Sequence, residues 1–417
     1  MLRGSPPAFD CAVRVGCYDA CTMRVLVLFV WLCSGCDGLA YVGELDQPID
    51  ALVATNVFFA PTLVDERPVY LGIDTGAPIN IIATRHLASG TFGPANATLR
   101  IGELEFPGVR VMGDNFLDGG GEPPIAGLIG CTILCPLGVT LDYRASQLAI
   151  GHAAPPADAA APIEIPFTLA GGGNARYGTS GGTVHTVALP RSRILVDAEI
   201  EGRPVRLLLD TGASANVLRS DIADTLLADG RGSAVLPVGG MFGTVSGTQF
   251  RLRDLTLDGV RLEGTIALAG STFDQLFDTI GSEVRERLDG VVGGTFLRAF
   301  HVDVDYARRV LVLSPYRDLA HVHDEGHQTG LVVDIPAVAA ITGGLVVRDV
   351  VPGTDAAAQG VLAGDVVLAI EGVALDGRPP YEAQYLLTGQ VGQTRQVQLR
   401  DAGTLTLSID RDALALP

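Results

Sequence analysis

Two aspartates in matching surroundings are the residues of this sequence best suited to chemistry. Asp74 and Asp210 each follow an apolar run and are each followed by Thr-Gly-Ala. Two carboxyls held a few ångströms apart cannot both ionise, so one pKa is raised and the pair keeps one proton. The ionised carboxyl can take a proton from water while the neutral one gives a proton to a carbonyl oxygen. Such a pair could hydrolyse a peptide bond without a metal ion or a covalent nucleophile.

The residues that follow each aspartate have physical roles in the same arrangement. Gly76 and Gly212 permit a tight turn that brings backbone N–H groups toward the carboxylates, where a Cβ would obstruct the approach. Thr75 and Thr211 have short hydroxyls that can form hydrogen bonds between the two turns and hold them in place. Ser214 adds a hydroxyl beside the second turn. We expect these residues to support the aspartate pair.

The two aspartates lie within an internal repeat. Residues 67–77 recur as residues 203–213, at an offset of 136. Residues 127–143 match residues 290–306 at an offset of 163, so the second copy is 27 residues longer between its two matching segments. A repeat of this length makes chance a poor explanation of two Asp-Thr-Gly tripeptides.

Each copy of the repeat has the pattern of an all-β lobe. Short runs rich in Leu and β-branched residues alternate with Gly, Asp and Pro turns, which predicts strands and hairpins. Helices are predicted only around residues 79–87 and 215–227 and directly after Gly130 and Gly293. The apolar triplets that end in these two glycines are predicted to be buried strands beneath the aspartate turns.

The C-terminal segment has a pattern of its own. An apolar run, an Ala-rich stretch at 355–360, a Gly-Asp turn at 364–365 and another apolar run resemble a bacterial PDZ domain over about the last 90 residues. The resemblance implies that a peptide adds to the domain as a strand. The loop expected to capture its carboxylate is Gly330, Leu331 and Val332. The alternative is a rigid cap packed on the rest of the chain.

Residues 50–415 together resemble a bacterial retropepsin-like aspartic peptidase of the pepsin superfamily, with two Asp-Thr-Gly lobes and a C-terminal PDZ domain. The resemblance implies a mainly β, two-lobed aspartic-protease β-barrel fold built by internal duplication. It also implies endopeptidase activity without a cofactor, with Asp74 and Asp210 as the catalytic pair and a peptide or protein substrate in the cleft between the lobes. The predicted boundaries are a leader at 1–36, a first lobe at 37–152, a linker at 153–162, a second lobe at 163–316, a linker at 317–328 and the PDZ domain at 329–417.

Two features depart from the family pattern. Pro78 stands where the second repeat has Ser214, so the first turn lacks a local hydroxyl. A flap, the hairpin that covers the cleft, has a candidate only in the second lobe, because residues 88–97 of the first lobe are too short to form one. The predicted flap residues are Gly239, Gly240, Met241 and Phe242. We therefore expect an asymmetric cleft with one mobile lid.

The N-terminal segment predicts export. An arginine at position 24 precedes a short apolar run at 25–32, which is too short to span a bilayer. The run ends in Cys-Ser-Gly and then Cys36, which resembles a bacterial lipoprotein signal. The resemblance implies a lipid on Cys36, an anchor in the cell envelope and no other membrane contact. Plain signal cleavage without a lipid is the alternative.

Charge and spacing argue against several other classes of protein. The net charge of −18 excludes a nucleic-acid binder that works by neutralising phosphates. His321, His323 and His327 have no metallopeptidase helix signature, so a solvated linker is favoured over a metal site. Ser180 and His185 imitate part of a serine-protease site, but their order and surroundings favour a flexible glycine-rich loop.

The cysteines do not form a disulfide framework. Five of the seven fall in the predicted leader, and only Cys131 and Cys135 lie in the body of the chain. Their four-residue separation within a predicted helix makes a bond between them awkward, so buried free thiols are expected.

A function from a different class fits the same domains. A degenerate protease whose turns survive as scaffolding, together with a PDZ domain, would be a non-catalytic envelope adaptor that binds peptides. Loss of either aspartate would leave the binding of such an adaptor unchanged but would end catalysis.

Overall fold

The computed structural model describes residues 39–114, 123–178, 184–240, 243–319, 329–334, 341–378, 383, 386–387, 389 and 392–409. The predicted leader with Cys36, the flap tip with Met241 and Phe242, the loop residue Ser180 and the three histidines of the second linker lie outside these residues. No helix within the described ranges has the length and apolar character needed to cross a membrane.

The first lobe is a sheet that closes on itself. Its strands run in the order β2-β3-β4-β8-β5-β7-β6, and β3 also pairs with β6. The elements up to residue 150 are β1 (Ile49–Asp50), β2 (Leu52–Ala54), β3 (Val57–Val64), β4 (Arg67–Ile73), β5 (Asn80–Ile82), a 3₁₀ helix (Thr84–His86), β6 (Gly93–Ile101), β7 (Leu104–Gly113), β8 (Ile125–Ile129), α1 (Cys131–Leu137), β9 (Val139–Asp142) and β10 (Gln147–Ile150).

The second lobe repeats this plan with additions. Its main sheet runs β18-β19-β22-β17-β23-β16-β15-β20-β21, with β12 paired to β15, and β13 and β14 form a separate hairpin. The elements are β11 (Ile163–Pro166), β12 (Thr168–Ala170), β13 (Gly173–Gly178), β14 (Val184–Leu189), β15 (Arg193–Ile200), β16 (Arg203–Leu209), β17 (Asn216–Leu218), α2 (Ser220–Leu227), β18 (Ser233–Gly240), β19 (Gly243–Arg251), β20 (Asp254–Leu257), β21 (Val260–Glu263), β22 (Ile266–Ala269), α3 (Ser271–Val284), β23 (Gly290–Val292), α4 (Gly294–Leu297), β24 (Phe300–Asp305) and β25 (Val310–Pro315).

In both lobes the strand that leads to the aspartate runs parallel to the strand of the apolar triplet. In the first lobe β4 pairs with β8, with Ile73 opposite Ile129. In the second lobe β16 pairs with β23, with Leu209 opposite Val292. These four side chains are fully buried, which explains why the strands read as continuous apolar runs. Each aspartate therefore follows directly from a buried central strand.

A six-stranded sheet joins the two lobes. Its order is β1-β10-β9-β24-β25-β11, so strands of the first lobe pair directly with strands of the second. Leu141 of β9 lies opposite Val302 of β24, and both are fully buried. One hydrophobic core runs through both lobes and includes Phe58, Tyr143 and Phe296. The predicted fold class, a mainly β two-lobed fold with internal duplication, is confirmed.

The helix α3 was not predicted from the sequence. It is an amphipathic helix of 14 residues within the stretch by which the second lobe exceeds the first. Its buried residues are Phe277, Ile280, Gly281 and Val284, at the i, i+3, i+4, i+7 spacing of one helix face. This spacing was available in the sequence and would have predicted the helix.

The expectation of two free thiols is wrong. Cys131 and Cys135 form a disulfide, with their Cα atoms 4.6 Å apart. Helix α1 spans only residues Cys131–Leu137 and contains Pro136, so one turn of helix brings the two sulfurs together. The disulfide lies directly after Gly130, where the chain leaves the buried strand β8.

The C-terminal domain has its own core and sheet. Its strands are β26 (Leu331–Val333), β27 (Leu345–Val350), β28 (Val366–Ile370), β29 (Val373–Ala374), β30 (Thr394–Leu399) and β31 (Gly403–Ser408), with a short helix α5 (Asp355–Ala358) between β27 and β28. The sheet order is β26-β27-β28-β30-β31, with β29 paired to β28. Leu331, Val347, Ile370, Val397 and Leu407 are buried in its core.

Candidate active site

The two Asp-Thr-Gly turns are built by the same local contacts. The backbone N–H of Asp74 donates to the carbonyl of Ile129 at 3.0 Å, and that of Asp210 donates to the carbonyl of Val292 at 3.1 Å. Each bond continues the parallel pairing of the preceding strand by one residue. The carboxyl of each aspartate is therefore held at the end of a buried strand, and both residues remain partly exposed.

The two threonines connect the turns across the interface between the lobes. Thr75 Oγ1 donates to the carbonyl of Leu209 at 3.2 Å and accepts the N–H of Thr211 at 3.0 Å. Thr211 Oγ1 donates to the carbonyl of Ile73 at 2.8 Å and accepts the N–H of Thr75 at 3.1 Å. Both threonines are fully buried. Four reciprocal hydrogen bonds thus fix one turn relative to the other.

The glycines allow the two carboxyls to meet. A Cβ on Gly76 would lie 2.7 Å from Cγ of Asp210, and a Cβ on Gly212 would lie 2.6 Å from Cγ of Asp74. Each carboxyl therefore lies against the backbone of the opposite turn, in space that only glycine leaves free. The structure brings together Asp74, Asp210 and the four Thr and Gly residues that the sequence analysis named with them.

The hydrogen bonding of the two carboxyls is unequal. Oδ1 of Asp210 accepts the N–H of Gly212 at 2.8 Å. Oδ1 of Asp74 is buried and has no hydrogen-bond partner among the described residues. Because N–H donors favour the ionised form of a carboxyl, negative charge is better stabilised on Asp210.

The pKa values of both carboxyls are raised, and that of Asp74 is raised more strongly. Burial, the charge of Asp210 and the hydrogen bond between the two carboxyls raise the pKa of Asp74 well above its ordinary value. Burial also raises the pKa of Asp210, but the bond from Asp74, the backbone N–H groups of Gly212 and Ala213 and the charge of Arg193 oppose this increase. The two carboxyls therefore titrate as a pair that retains one shared proton.

Two asparagines at matching positions of the repeat hold the glycines that follow the buried strands β8 and β23. The sequence analysis did not identify them. Oδ1 of Asn80 accepts the N–H of Gly130 at 2.9 Å, and Oδ1 of Asn216 accepts the N–H of Gly293 at 3.0 Å. Both asparagines are fully buried. They stand at the repeat offset of 136 residues, so extending the repeat six residues beyond the aspartates would have identified them.

Ser214 takes part through its backbone. Its carbonyl accepts a hydrogen bond from Nδ2 of Asn56 at 3.0 Å, and no hydrogen bond of its hydroxyl is present among the described residues. Asn56 belongs to the first lobe, and its Oδ1 accepts a bond from Arg298 Nη1 at 3.2 Å. A neutral amide of the first lobe thus holds the second turn. The expected supporting role of the Ser214 hydroxyl stays a prediction.

Arg193 makes a further contact from the second lobe to the first turn. Its Nη1 donates to the carbonyl of Gly76, and its Nη2 lies 3.0 Å from Oε2 of Glu283. The side chains of Arg193 and Glu283 are only 13% and 21% exposed. Neither residue was identified from the sequence, because neither has a counterpart in the first repeat.

Two tyrosines at matching positions of the repeat are buried in the core that runs through both lobes. The hydroxyls of Tyr143 and Tyr306 have no hydrogen-bond partner among the described residues. Burial, followed by the charges of Asp74 and Asp210, raises the pKa of Tyr306 above its ordinary value. Tyr306 therefore stays neutral.

The predicted flap lies on a long hairpin. Strands β18 and β19 pair along their length, with Gly239 opposite Thr244 and Gly240 opposite Gly243. The hairpin follows α2, and the first lobe has no strand between its 3₁₀ helix and β6, within a stretch of chain that the structure describes throughout. The assignment of this hairpin as the lid over the carboxyls stays a prediction.

A different hairpin lies on the first lobe. The buried side chain of Val187 in β14 packs with Ile79 and Met112 of the first lobe, and Leu189 and Ile81 contact the same cluster. Ile79 lies three residues after Gly76 of the first aspartate turn. The β13–β14 hairpin, which comes from the start of the second lobe, therefore borders the part of the first lobe that has no flap.

The predicted peptide-binding loop of the C-terminal domain begins strand β26. Gly330 is buried against Thr354 and has a positive φ of 86°, while Leu331 and Val332 pair with Val350 and Asp349 of β27. Arg348 of β27 donates from Nη2 to the carbonyl of Val235 in β18 at 3.4 Å. The domain thus contacts the hairpin that carries the predicted flap.

No group of three or more His, Cys, Asp or Glu side chains within the described ranges is arranged to hold a metal ion. The described site contains the carboxyl pair, its backbone donors and the nearby guanidinium of Arg193.

Comparison with known families agrees with the resemblance stated from the sequence. Residues 196–296 match the family model described as aspartyl protease, and residues 324–410 match the model described as PDZ domain. The resemblance to an aspartic peptidase with a PDZ domain is confirmed for these two segments. The first lobe with Asp74 lies outside the matched segment.

Solved structures similar to this chain include two aspartic proteases. An aspartic proteinase from Irpex lacteus is 15% identical with a TM-score of 0.38, covering 67% of this chain and 98% of that one. A retropepsin-like aspartic protease from Rickettsia conorii is 14% identical with a TM-score of 0.21, covering 37% of this chain and 90% of that one. No curated protein matches the chain.

Proposed function

We propose that the protein is an aspartic endopeptidase that hydrolyses peptide bonds with a water activated by Asp74 and Asp210. The observation that supports this most directly is the pair of facing carboxyls, each held against the glycine of the opposite turn. Both turns are intact, and the threonine hydrogen bonds between them are complete. The facing carboxyls favour a catalytic pair over turns that survive only as scaffolding.

The unequal environments of the carboxyls suggest their roles. Ionised Asp210 takes a proton from water, and the water oxygen attacks the carbonyl carbon of the scissile peptide bond. Asp74 gives its proton to the carbonyl oxygen, which produces a neutral tetrahedral diol. The C–N bond then breaks, the leaving nitrogen receives the proton held by Asp210, and a diol hydroxyl returns a proton to Asp74. The pair ends in its starting state.

The substrate is an extended peptide or protein segment in the cleft between the lobes. In this proposal the β18–β19 hairpin covers the second-lobe side, with Gly239, Gly240, Met241 and Phe242 as the lid. The PDZ domain binds a peptide at the loop Gly330–Val332 and recruits substrate or regulates the lid. The contact between Arg348 and Val235 supports regulation, because it connects the domain to the lid hairpin.

The location of the protein belongs to the same proposal. A leader at residues 1–36 and a lipid on Cys36 would place the enzyme in the bacterial cell envelope. The net charge of −18 suits an exported protein that does not bind nucleic acid.

The test is cleavage of a diverse peptide library between acidic and neutral pH by the full chain and its Asp74→Asn and Asp210→Asn variants. Asp224→Asn, at an exposed position of α2, is the matched control. Each dyad variant should lose at least about 10³-fold in rate, because one carboxyl cannot supply both proton transfers. Activity should fall at both ends of the pH range, where the pair holds two protons or none.

The result that would overturn the proposal is equally direct. If the parent cleaves nothing at any pH, with or without a peptide bound to the PDZ domain, the chain is not this enzyme. A non-catalytic peptide-binding adaptor would then be the better interpretation, and Asp74→Asn would leave peptide binding unchanged.

A further inference from the structure

We propose that Arg193, held in place by Glu283 of α3, is a positioning residue for the carboxyl pair and supplies the positive charge that limits the pair to one shared proton. The proposal deepens the proposed function and rests on it for its kinetic consequences. The effect of Arg193 on the charge and geometry of the two carboxyls can be measured without any catalysis.

The first observation is that Arg193 holds the first turn from the opposite lobe. It begins strand β15 of the second lobe, and its Nη1 donates to the carbonyl of Gly76 in the first. Gly76 is also the residue whose backbone lies against the carboxyl of Asp210. A change in the Arg193 side chain therefore acts on the distance between the two carboxyls, although the arginine is not itself required to touch substrate.

The second observation is that Arg193 is itself fixed. Its Nη2 lies 3.0 Å from Oε2 of Glu283, and both side chains are largely buried. The backbone of Gly171 packs over the pair, since a Cβ there would lie 2.7 Å from Oε1 of Glu283 and 3.1 Å from Cγ of Arg193. A buried ion pair of this kind costs desolvation energy, so it is weak evidence for stability and suggests a role in specifying geometry.

The third observation is electrostatic. The charge of Arg193 lowers the pKa of both Asp74 and Asp210, against the increase that burial causes. The charged and titratable groups that the structure relates to the guanidinium are Glu283 on α3 and the two aspartates on the turns. Arg193 is therefore a cation that opposes the effect of burial on the pair, and the nearby carboxylate of Glu283 partly offsets its charge.

Glu283 comes from the part of the repeat that is longer in the second lobe than in the first. Helix α3 lies within the stretch by which the second lobe exceeds the first. Between β7 and β8 of the first lobe the structure describes only residues 114 and 123–124, which are not helical. Glu283 therefore comes from a helix in the longer second copy of the repeat.

The test compares Arg193→Gln and Glu283→Gln with opposite expected results. Titration of the pair is followed by ¹³C NMR of full-length protein labelled at aspartate Cγ, with resonances assigned from Asp74→Asn and Asp210→Asn. Loss of the cation should raise the apparent pKa values of the pair by about 1 unit or more. Loss of the Glu283 charge, with its amide oxygen still accepting from Arg193, should lower them.

Two further variants separate charge from packing. Arg193→Lys retains the charge, so it should titrate close to the parent and recover part of the activity. Arg203→Gln, at an exposed position of β16, is the control for loss of an arginine and should titrate like the parent. In kinetics, Arg193→Gln should lower kcat by at least about tenfold and change KM by less than about twofold, because the effect acts through the carboxyls.

The outcomes distinguish this inference from the proposed function. If the parent cleaves peptides but the two glutamine variants titrate alike, Arg193 is a structural residue only and the inference is wrong. If the parent is inactive yet the titrations move in opposite directions, the inference stands and the endopeptidase proposal fails. Should Arg193→Gln not fold, the Glu283→Gln and Arg193→Lys titrations still decide the question.

Discussion

The two aspartate turns are built alike within each lobe but are held differently between the lobes. In each lobe a buried asparagine accepts the N–H of the glycine that ends the apolar triplet. Across the interface, the first lobe offers the neutral amide of Asn56 to Ser214, whereas the second offers the guanidinium of Arg193 to Gly76. The internal framework of a duplicated lobe is therefore retained, and its external contacts have diverged.

This difference matters because equivalent carboxyls would share a proton equally. Oδ1 of Asp210 accepts an N–H, whereas Oδ1 of Asp74 has no such donor among the described residues, and the pKa of Asp74 is raised well above its ordinary value.

The largest effect is expected from the glycines that the two turns have in common. Gly76→Ala and Gly212→Ala should each lower kcat by at least about 10²-fold, because the new Cβ would lie 2.7 Å or 2.6 Å from the Cγ of the opposite aspartate. Steady-state kinetics with a peptide from the library measures this, and circular dichroism confirms the fold. If only one variant loses activity, the turns are less alike than their contacts indicate.

A smaller effect on stability should separate the two asparagines. Asn216→Ala should cost about 3 kcal/mol, because Nδ2 also donates to Thr265 and Ile266 at 3.1 and 3.0 Å. Asn80→Ala should cost about 2 kcal/mol, since its Nδ2 makes only a long bond of 3.4 Å to Arg110. Urea unfolding followed by circular dichroism is suitable, because the sole Trp lies at position 31 in the predicted leader. Asn174→Ala, at an exposed position, is the control. Equal losses of stability in Asn80→Ala and Asn216→Ala would contradict the expected difference between the two asparagines.

The smallest effect is expected from loss of Asn56, whose neutral amide contacts the second turn. Asn56→Ala removes the bond to the Ser214 carbonyl but no charge, so kcat should fall by only a few-fold and the pH profile should keep its position. The profile is measured beside that of Arg193→Gln, which should move to higher pH. A pH shift in Asn56→Ala would show that position, and not charge, controls the protonation of the pair.

The sequence predicted the parts of the site that the repeat contains twice. Asp74 and Asp210 and their Thr-Gly partners were identified because two copies occur at one offset, and the structure places them together. Asn80 and Asn216 were available from the same offset. Arg193, Glu283 and Asn56 could not be found in this way, because each exists in one lobe only and its contact crosses the interface.

Local geometry explains the remaining differences. Helix α3 was overlooked because its apolar face is interrupted by small and acidic residues, although its helical spacing is regular. The Cys131–Cys135 disulfide was judged unfavourable for a continuous helix, but α1 is short and contains Pro136, which changes the path of its last turn. The second error arose from treating α1 as a regular helix over a length that the structure does not use.

The sheet shared by the lobes has a consequence for when the molecule becomes active. Strands β9 and β24 pair residues such as Leu141 and Val302 that are far apart in the chain, so the sheet closes a long loop. A chain synthesised only as far as the first lobe has one of the two carboxyls. In the proposed enzyme, catalysis therefore begins only after the whole double lobe has folded, which protects the growing chain and its neighbours from cleavage.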